Sequence, residues 1–265
     1  MQNEETDKLS ITLIQSNLFW ENKRGNLNQF ANRISNLTTK IDIIVLPEMF
    51  STSFTMNAEK LSEPMDGITV TWMKEVANFT GAAVCGSVII KEGTAVYNRF
   101  IWIEPGGYIT FYDKAHLFRM GEENKHYDAG KTRTIINYKG WKIAPFVCYD
   151  LRFPVWLKRT TSFDYDLMIV VASWPEKRSA HWQVLSQARA IENQCYVAAL
   201  NRVGEDGNQV TFDGKSALYN PQGKIINQLT SDEFEETYTI HLPELKTYRK
   251  AFPVWLDDDD FEIKK

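Results

Sequence analysis

A chain of 265 residues with 43% hydrophobic side chains can bury a sizeable core, and its length falls in the range that one layered α/β domain fills, so a single domain over 1–265 is expected. The 34 acidic and 30 basic residues are interspersed and leave a formal charge of -4, which offers no broad basic surface to a polyanion and argues against nucleic acid as a partner. Cys85, Cys148 and Cys195 are odd in number, far apart and set in apolar stretches, the start Met1 to Lys8 lacks the regions of a signal peptide, and no apolar run approaches the ~18 residues of a membrane span; a soluble cytoplasmic protein is expected.

Leu9 to Gln15 (LSITLIQ) reads as a first strand, and Leu27, Phe30, Ile34 and Leu37 then recur at helical spacing. Ile41 to Leu46 is short, β-branched and nearly all apolar, as a strand covered on both faces should be. Trp72, Val76 and Phe79 suggest a second helix ended by Gly81, after which Ala82 to Ile90 resumes as a strand. From Tyr97 the pattern changes: Tyr97 to Ile103, the Pro105-Gly106-Gly107 turn and Tyr108 to Tyr112 make a hairpin. Trp141 to Cys148, Leu167 to Ser173 and Cys195 to Leu200 are further buried strands, with a helix over Ser179 to Asn193 between the last two. Ser216 to Tyr219, Asn220-Pro221-Gln222-Gly223 and Lys224 to Leu229 carry a second hairpin signal. Strands alternating with helices but interrupted by hairpins predict mixed sheets covered by helices, a layered α/β sandwich.

Three of these strands run into a reactive group: Ile43 to Leu46 into Glu48, Ile109 to Tyr112 into Lys114, and Ile143 to Val147 into Cys148. Strand ends are where α/β folds place their sites. A thiol to attack, a carboxylate to take its proton and an ammonium to stabilise an oxyanion would form a working set for acyl transfer. Taken singly, each has a plainer reading: a small buried hydrophobe, a turn carboxylate, a solvated strand-end charge.

The wording around all three decides between these readings. LPEMF at Leu46 to Phe50, YDKAHLF at Tyr112 to Phe118 and VCYDLRFP at Val147 to Pro154 occur in that order. With Glu48 66 positions before Lys114 and Lys114 34 before Cys148, the chain resembles the nitrilase superfamily of carbon–nitrogen hydrolases. Asp164 to Ser173, HWQVLSQARAIEN at His181 to Asn193 and Gln194 to Asn201 extend the resemblance to nearly the whole chain. Within the superfamily, CYDLRFP, HLFRMGEE and YRKAFPVW are similar to bacterial omega-amidases.

That resemblance implies a four-layer α-β-β-α sandwich with two mixed sheets, a homodimer, and release of ammonia from small alpha-keto acid amides through a cysteine thioester, with no metal or organic cofactor. It assigns catalysis to Glu48, Lys114 and Cys148, and a second glutamate to Glu123, seven positions before Gly130, with Glu122 beside it as the alternative. The oxyanion hole would combine Lys114 with the backbone N–H of Tyr149. Arg152 is the candidate partner for a substrate carboxylate, against a structural role satisfying a nearby Asp, and Phe118 and Trp174 are candidate pocket walls. Other amides, carbamoyl amides or nitriles are the alternative substrates, and a silent binding protein or a redox cysteine protein are the rivals from other classes; all three triad members are present, and no Cys-x-x-Cys occurs. The four histidines form no zinc-binding pattern, His116 is expected to hold the loop after Lys114, and the acidic run Asp257 to Asp260 resembles a calcium loop only in charge.

Overall fold

A computed structural model describes residues 7–259 and 261–264. Most of the polar start and the last residue of the acidic run, Asp260, lie outside the described residues.

The strands are β1 (Lys8–Gln15), β2 (Ile43–Val45), β3 (Ala83–Glu92), β4 (Ala95–Ile103), β5 (Ile109–Asp113), β6 (Ile136–Tyr138), β7 (Trp141–Val147), β8 (Leu167–Ala172), β9 (Tyr196–Asn201), β10 (Val203–Glu205), β11 (Thr211–Asp213), β12 (Ala217–Tyr219) and β13 (Phe234–His241). The helices are α1 (Lys23–Ser35), α2 (Ala58–Leu61), α3 (Ile68–Thr80), α4 (Glu123–His126), α5 (Pro154–Leu157), α6 (Ser179–Asn193) and α7 (Leu242–Ala251). Two mixed sheets result. The first has the order β13-β1-β2-β3-β4-β5, the second β12-β9-β8-β7-β6, and β10 and β11 pair apart from both. In the first sheet β1, β2 and β3 are parallel and β4 and β5 return as antiparallel hairpins; in the second β7, β8 and β9 are parallel.

Alternation along the strands sets the layers. On β2, Ile43 and Val45 face the second sheet, joined by Leu9, Leu13, Phe100 and Trp102, while Ile44 faces the other way against Phe30 of α1 and Val70 and Met73 of α3. Each fully buried side chain of this kind contributes about 1.5–3 kcal/mol. The outer face of the second sheet is covered by α6 through Trp182 and Ala190, which gives the expected α-β-β-α sandwich. No helix among the described residues is long and apolar enough to cross a membrane.

Local chemistry fixes the element ends. Asn22 caps α1 by accepting from the Gly25 N–H at 2.9 Å, and Gly81 ends α3 at φ 68°, the left-handed conformation a glycine adopts without a Cβ penalty. The α6 bounds match the expected segment. Two expectations need correction. On α3 the buried apolar stripe is Val70, Met73, Val76 and Ala77, so of the three residues read as the helical period only Val76 is buried, Trp72 being partly buried and Phe79 78% exposed. The turn at Asn220–Gly223 forms, but the strand after it reduces to a bridge between Tyr219 and Ile225. There the Asn227 side chain accepts from the Leu218 N–H at 2.8 Å in place of a strand carbonyl, which ends the ladder.

Candidate active site

The carboxyl ends of β2, β5 and β7 bring three chain-distant groups together. Glu48 follows β2, Lys114 follows β5 directly, and Cys148 follows β7. Since β2 and β5 belong to the first sheet and β7 to the second, the cluster sits at the seam between the sheets.

Glu48 and Glu123 are fully buried and Lys114 is 1% exposed. The Lys114 ammonium donates to Glu48 Oε1 at 2.9 Å and to both Glu123 oxygens at 3.0 and 2.9 Å. Burial alone would push the lysine down, but Glu123 and Glu48 outweigh it and hold it above the ordinary lysine range, so it stays cationic. For Glu123 burial is the largest influence and raises its carboxyl, with Lys114 pulling the other way. Glu122, the alternative, is exposed and pairs with Lys125, so the second buried carboxylate is Glu123.

Further groups hold this cluster, in roles that the sequence did not single out. Asn98 of β4 donates through Nδ2 to Glu48 Oε1 at 2.8 Å and Glu123 Oε1 at 3.2 Å, bridging the two carboxylates. The Phe118 N–H reaches Glu123 Oε2 at 2.6 Å. The Ser173 N–H, just past β8, donates to Glu48 Oε2 at 2.8 Å and ties the two sheets at the site. Asn98 left a readable sign, a polar side chain in an apolar strand; a backbone N–H such as Ser173's leaves none.

Cys148 adopts φ 46°, a left-handed conformation unusual for a residue with a Cβ, at the junction of β7 with a 3-10 turn over Cys148–Arg152. The turn is braced by Asp150. Its carboxylate accepts from the Val147 N–H at 3.1 Å, from Tyr112 Oη at 2.8 Å, and from the His116 N–H at 2.9 Å, with His116 Nδ1 at 2.7 Å. Asp150 thereby couples the Cys148 turn to the segment carrying Lys114, and His116 holds that loop as expected. Burial pushes the Cys148 thiol well above its ordinary value; Glu48 adds to the rise, and Lys114 and the Ser173 N–H oppose it.

Cys148 and Lys114 line a cavity of about 280 Å³. Phe118 and Trp174 line it, and Tyr149 packs edge-on against Phe118 at 5.2 Å. Trp174 is fixed by Asn201 through its backbone and by an indole N–H donated to the Arg178 carbonyl at 2.9 Å. Arg152 also lines the cavity, but its structural partner is not an aspartate: Nη2 lies 2.9 Å from His181 Nδ1, and the guanidinium sits 4.9 Å from the Trp174 ring centroid. Arg178, absent from the sequence-based candidates, faces the same cavity.

A cysteine in a left-handed conformation beside a buried lysine held by two carboxylates is chemically suited to acyl transfer. The carbon-nitrogen hydrolase family model matches residues 10–250. The chain is 46% identical over 258 residues to omega-amidase YafV of Escherichia coli (strain K12), covering 96% of this chain and 98% of that protein. It is 31% identical to the 2-oxoglutaramate amidase of Bacillus subtilis (strain 168), covering 94% and 97%. The crystal structure of XC1258 from Xanthomonas campestris, a CN-hydrolase superfamily protein with an arsenic adduct in its active site, superposes with a TM-score of 0.94 at 40% identity over 97% of this chain and 99% of that one. The chain belongs to the carbon–nitrogen hydrolase family, within the nitrilase superfamily. It is a hydrolase of amide carbon–nitrogen bonds.

Proposed function

We propose that the chain is an omega-amidase that releases ammonia from small alpha-keto acid amides such as alpha-ketoglutaramate and alpha-ketosuccinamate. The observation that carries this reading is the buried Glu48–Lys114–Glu123 cluster beside Cys148, in a cavity with cationic side chains on its wall. The similarity to YafV and to the B. subtilis enzyme supports the substrate class.

In this reading Cys148 Sγ adds to the amide carbon as its proton passes to Glu48. The carbonyl oxygen becomes an oxyanion stabilised by the Lys114 ammonium and the Tyr149 N–H. Collapse breaks the carbon–nitrogen bond, Glu48 returns the proton to nitrogen, and ammonia leaves a thioester on Cys148. Glu48 then takes a proton from water as it adds to the thioester carbonyl; expulsion of the thiolate, reprotonated by Glu48, frees the acid. Glu123 holds Lys114 in place, and Arg152 offers a cation to the substrate carboxylate. The Tyr149 N–H suits its role because it lies in the first turn after Cys148, where a helix-type turn leaves its N–H groups without intrahelical partners.

A single domain, a cytoplasmic location and a homodimer belong to the same reading. Three free cysteines suit a reducing compartment, and the exposed apolar Val184 and Ile191 on α6 suit burial against a second copy. Light scattering that finds a monomer at micromolar concentration would remove the dimer.

The deciding experiment is ammonia release from alpha-ketoglutaramate by the wild type and by Cys148→Ala, with folding checked by circular dichroism. Turnover by the wild type alone supports nucleophile and substrate class together. A wild type that ignores alpha-ketoglutaramate but cleaves a simple aliphatic amide, a carbamoyl amide or a nitrile refutes the omega-amidase assignment.

A further inference from the structure

Two guanidinium groups reach the cavity, and their circumstances differ. Arg152 is already engaged, hydrogen-bonded to His181 Nδ1 and laid against Trp174. Arg178 lies 5.2 Å from the Phe118 ring centroid, and no carboxylate among the described residues forms an ion pair with it. The carboxylate lining the same cavity, Asp206, is committed to its own turn, where Oδ1 accepts from the Asn208 and Val210 N–H groups at 2.8 and 3.0 Å. Partial burial, and after it the charge of Arg152, hold the Arg178 guanidinium below its usual range. Two guanidinium groups lining one pocket, neither in an ion pair with a carboxylate among the described residues, define a place for an anion.

We propose that Arg178 is the specificity-determining residue of the site, the one whose guanidinium binds the carboxylate of the amide substrate, with Arg152 as the second, already anchored cation. This rests on the omega-amidase reading. Arg178 suits the task because its planar fork can take a carboxylate in two parallel hydrogen bonds while Phe118 supports one face. Its position is set by the main chain, since the Arg178 carbonyl receives the Trp174 indole N–H and the Arg178 N–H donates to the Pro175 carbonyl at 2.9 Å. The wall that shapes the pocket and the cation that reads the substrate are thus fixed by one segment. The same charges disfavour an alpha-ammonium next to the carboxylate, so keto-acid amides are selected over the parent amino-acid amides such as glutamine.

The test compares alpha-ketoglutaramate with its methyl ester, a matched pair differing in the carboxylate charge, on the wild type, Arg178→Gln and Arg178→Lys, read as kcat/KM for ammonia release. Arg178→Gln is expected to lose roughly 10- to 100-fold on the acid, mostly through KM, and to leave the ester unchanged; Arg178→Lys falls between on the acid. Should Arg178→Gln fail to fold, the intermediate loss in Arg178→Lys on the acid alone carries the same information. Equal losses on both compounds, or none on either, overturn the assignment of Arg178 while leaving the omega-amidase reading intact. A wild type that cleaves the ester and not the acid overturns both.

Discussion

Replacing Glu123 by glutamine removes one charge and almost no volume, and the site has no tolerance for it. Four donor contacts converge on the two Glu123 oxygens: Lys114 Nζ on both, Asn98 Nδ2 on Oε1 and the Phe118 N–H on Oε2. A glutamine has one acceptor oxygen and an NH2 group, so whichever way the amide turns, its hydrogens face a donor. Removing one partner of a buried ion pair costs about 3–5 kcal/mol. Glu48 still neutralises Lys114 at 2.9 Å, which places Glu123→Gln near the lower end, about 3 kcal/mol, or a fall in Tm of about 6–12 °C at this chain length. Glu122→Gln is the control: its carboxylate is exposed and pairs with Lys125 at the surface, and the melting midpoint should not move. Denaturant melts and ammonia release on the two variants make the comparison, with kcat expected to collapse only for Glu123→Gln. The reasoning is refuted if Glu123→Gln stays within about 1 kcal/mol of the wild type, the scatter of surface changes, or if Glu122→Gln loses as much.

Asn98→Leu should lower kcat/KM by roughly 10- to 100-fold in an ammonia-release assay, because both carboxylates lose the amide that bridges them. Asn98→Asp should be worse still, since it sets a third carboxylate against two. Asp150→Asn should lower stability by about 2 kcal/mol in urea melts and slow turnover as well, since it unties the Cys148 turn from Tyr112 and His116. An Asp150→Asn protein melting like the wild type would show that this brace is not needed.

The strands before Glu48 and Cys148 were legible as buried apolar runs, and the strand before Lys114, only partly buried, from the Pro105-Gly106-Gly107 turn that precedes it. Helix α6 was legible to its ends. The strand β13 was not, because FEETYTIH buries only Phe234 and Ile240 and shows water its glutamates and threonines; it is an edge strand, and a charged edge looks like a loop in sequence. It pairs with β1 from the far end of the chain, so only tertiary structure supplies its partner. The site divides the same way. Side chains within the motifs were singled out by them, whereas Asn98 reads with Arg99 as a polar interruption in a strand and Arg178 as one of three consecutive charges in the Glu176–Arg178 turn. Which charges meet across a seam between two sheets depends on register and packing, and local spacing does not encode it.

Charge conservation within the cluster accounts for a thiol pushed upward by burial and by Glu48 in a site where the proposed mechanism uses it as the nucleophile. At rest Glu48 takes hydrogen bonds from Lys114, Asn98 and the Ser173 N–H, so it serves as an acceptor, a carboxylate. Losing the Cys148 proton to solvent would set three anions around one ammonium in a buried site. Passing it to Glu48 instead makes a thiolate and a neutral acid together, and the net charge of the four groups does not change. Turnover should therefore not follow the titration of the free thiol. Iodoacetamide alkylation of Cys148 in the resting protein should keep rising above the ordinary cysteine range of about 8.5, while kcat/KM for the amide is already level near neutrality. Glu48→Gln separates the two further. Removing the carboxylate charge takes away an influence that raises the thiol, so alkylation should shift to lower pH. Losing the proton acceptor should cut amide turnover by roughly 10²- to 10⁴-fold. A kcat/KM that climbs with pH in step with the alkylation rate would refute internal proton transfer, because it would mean that the thiolate forms by loss of the proton to water before the substrate is attacked.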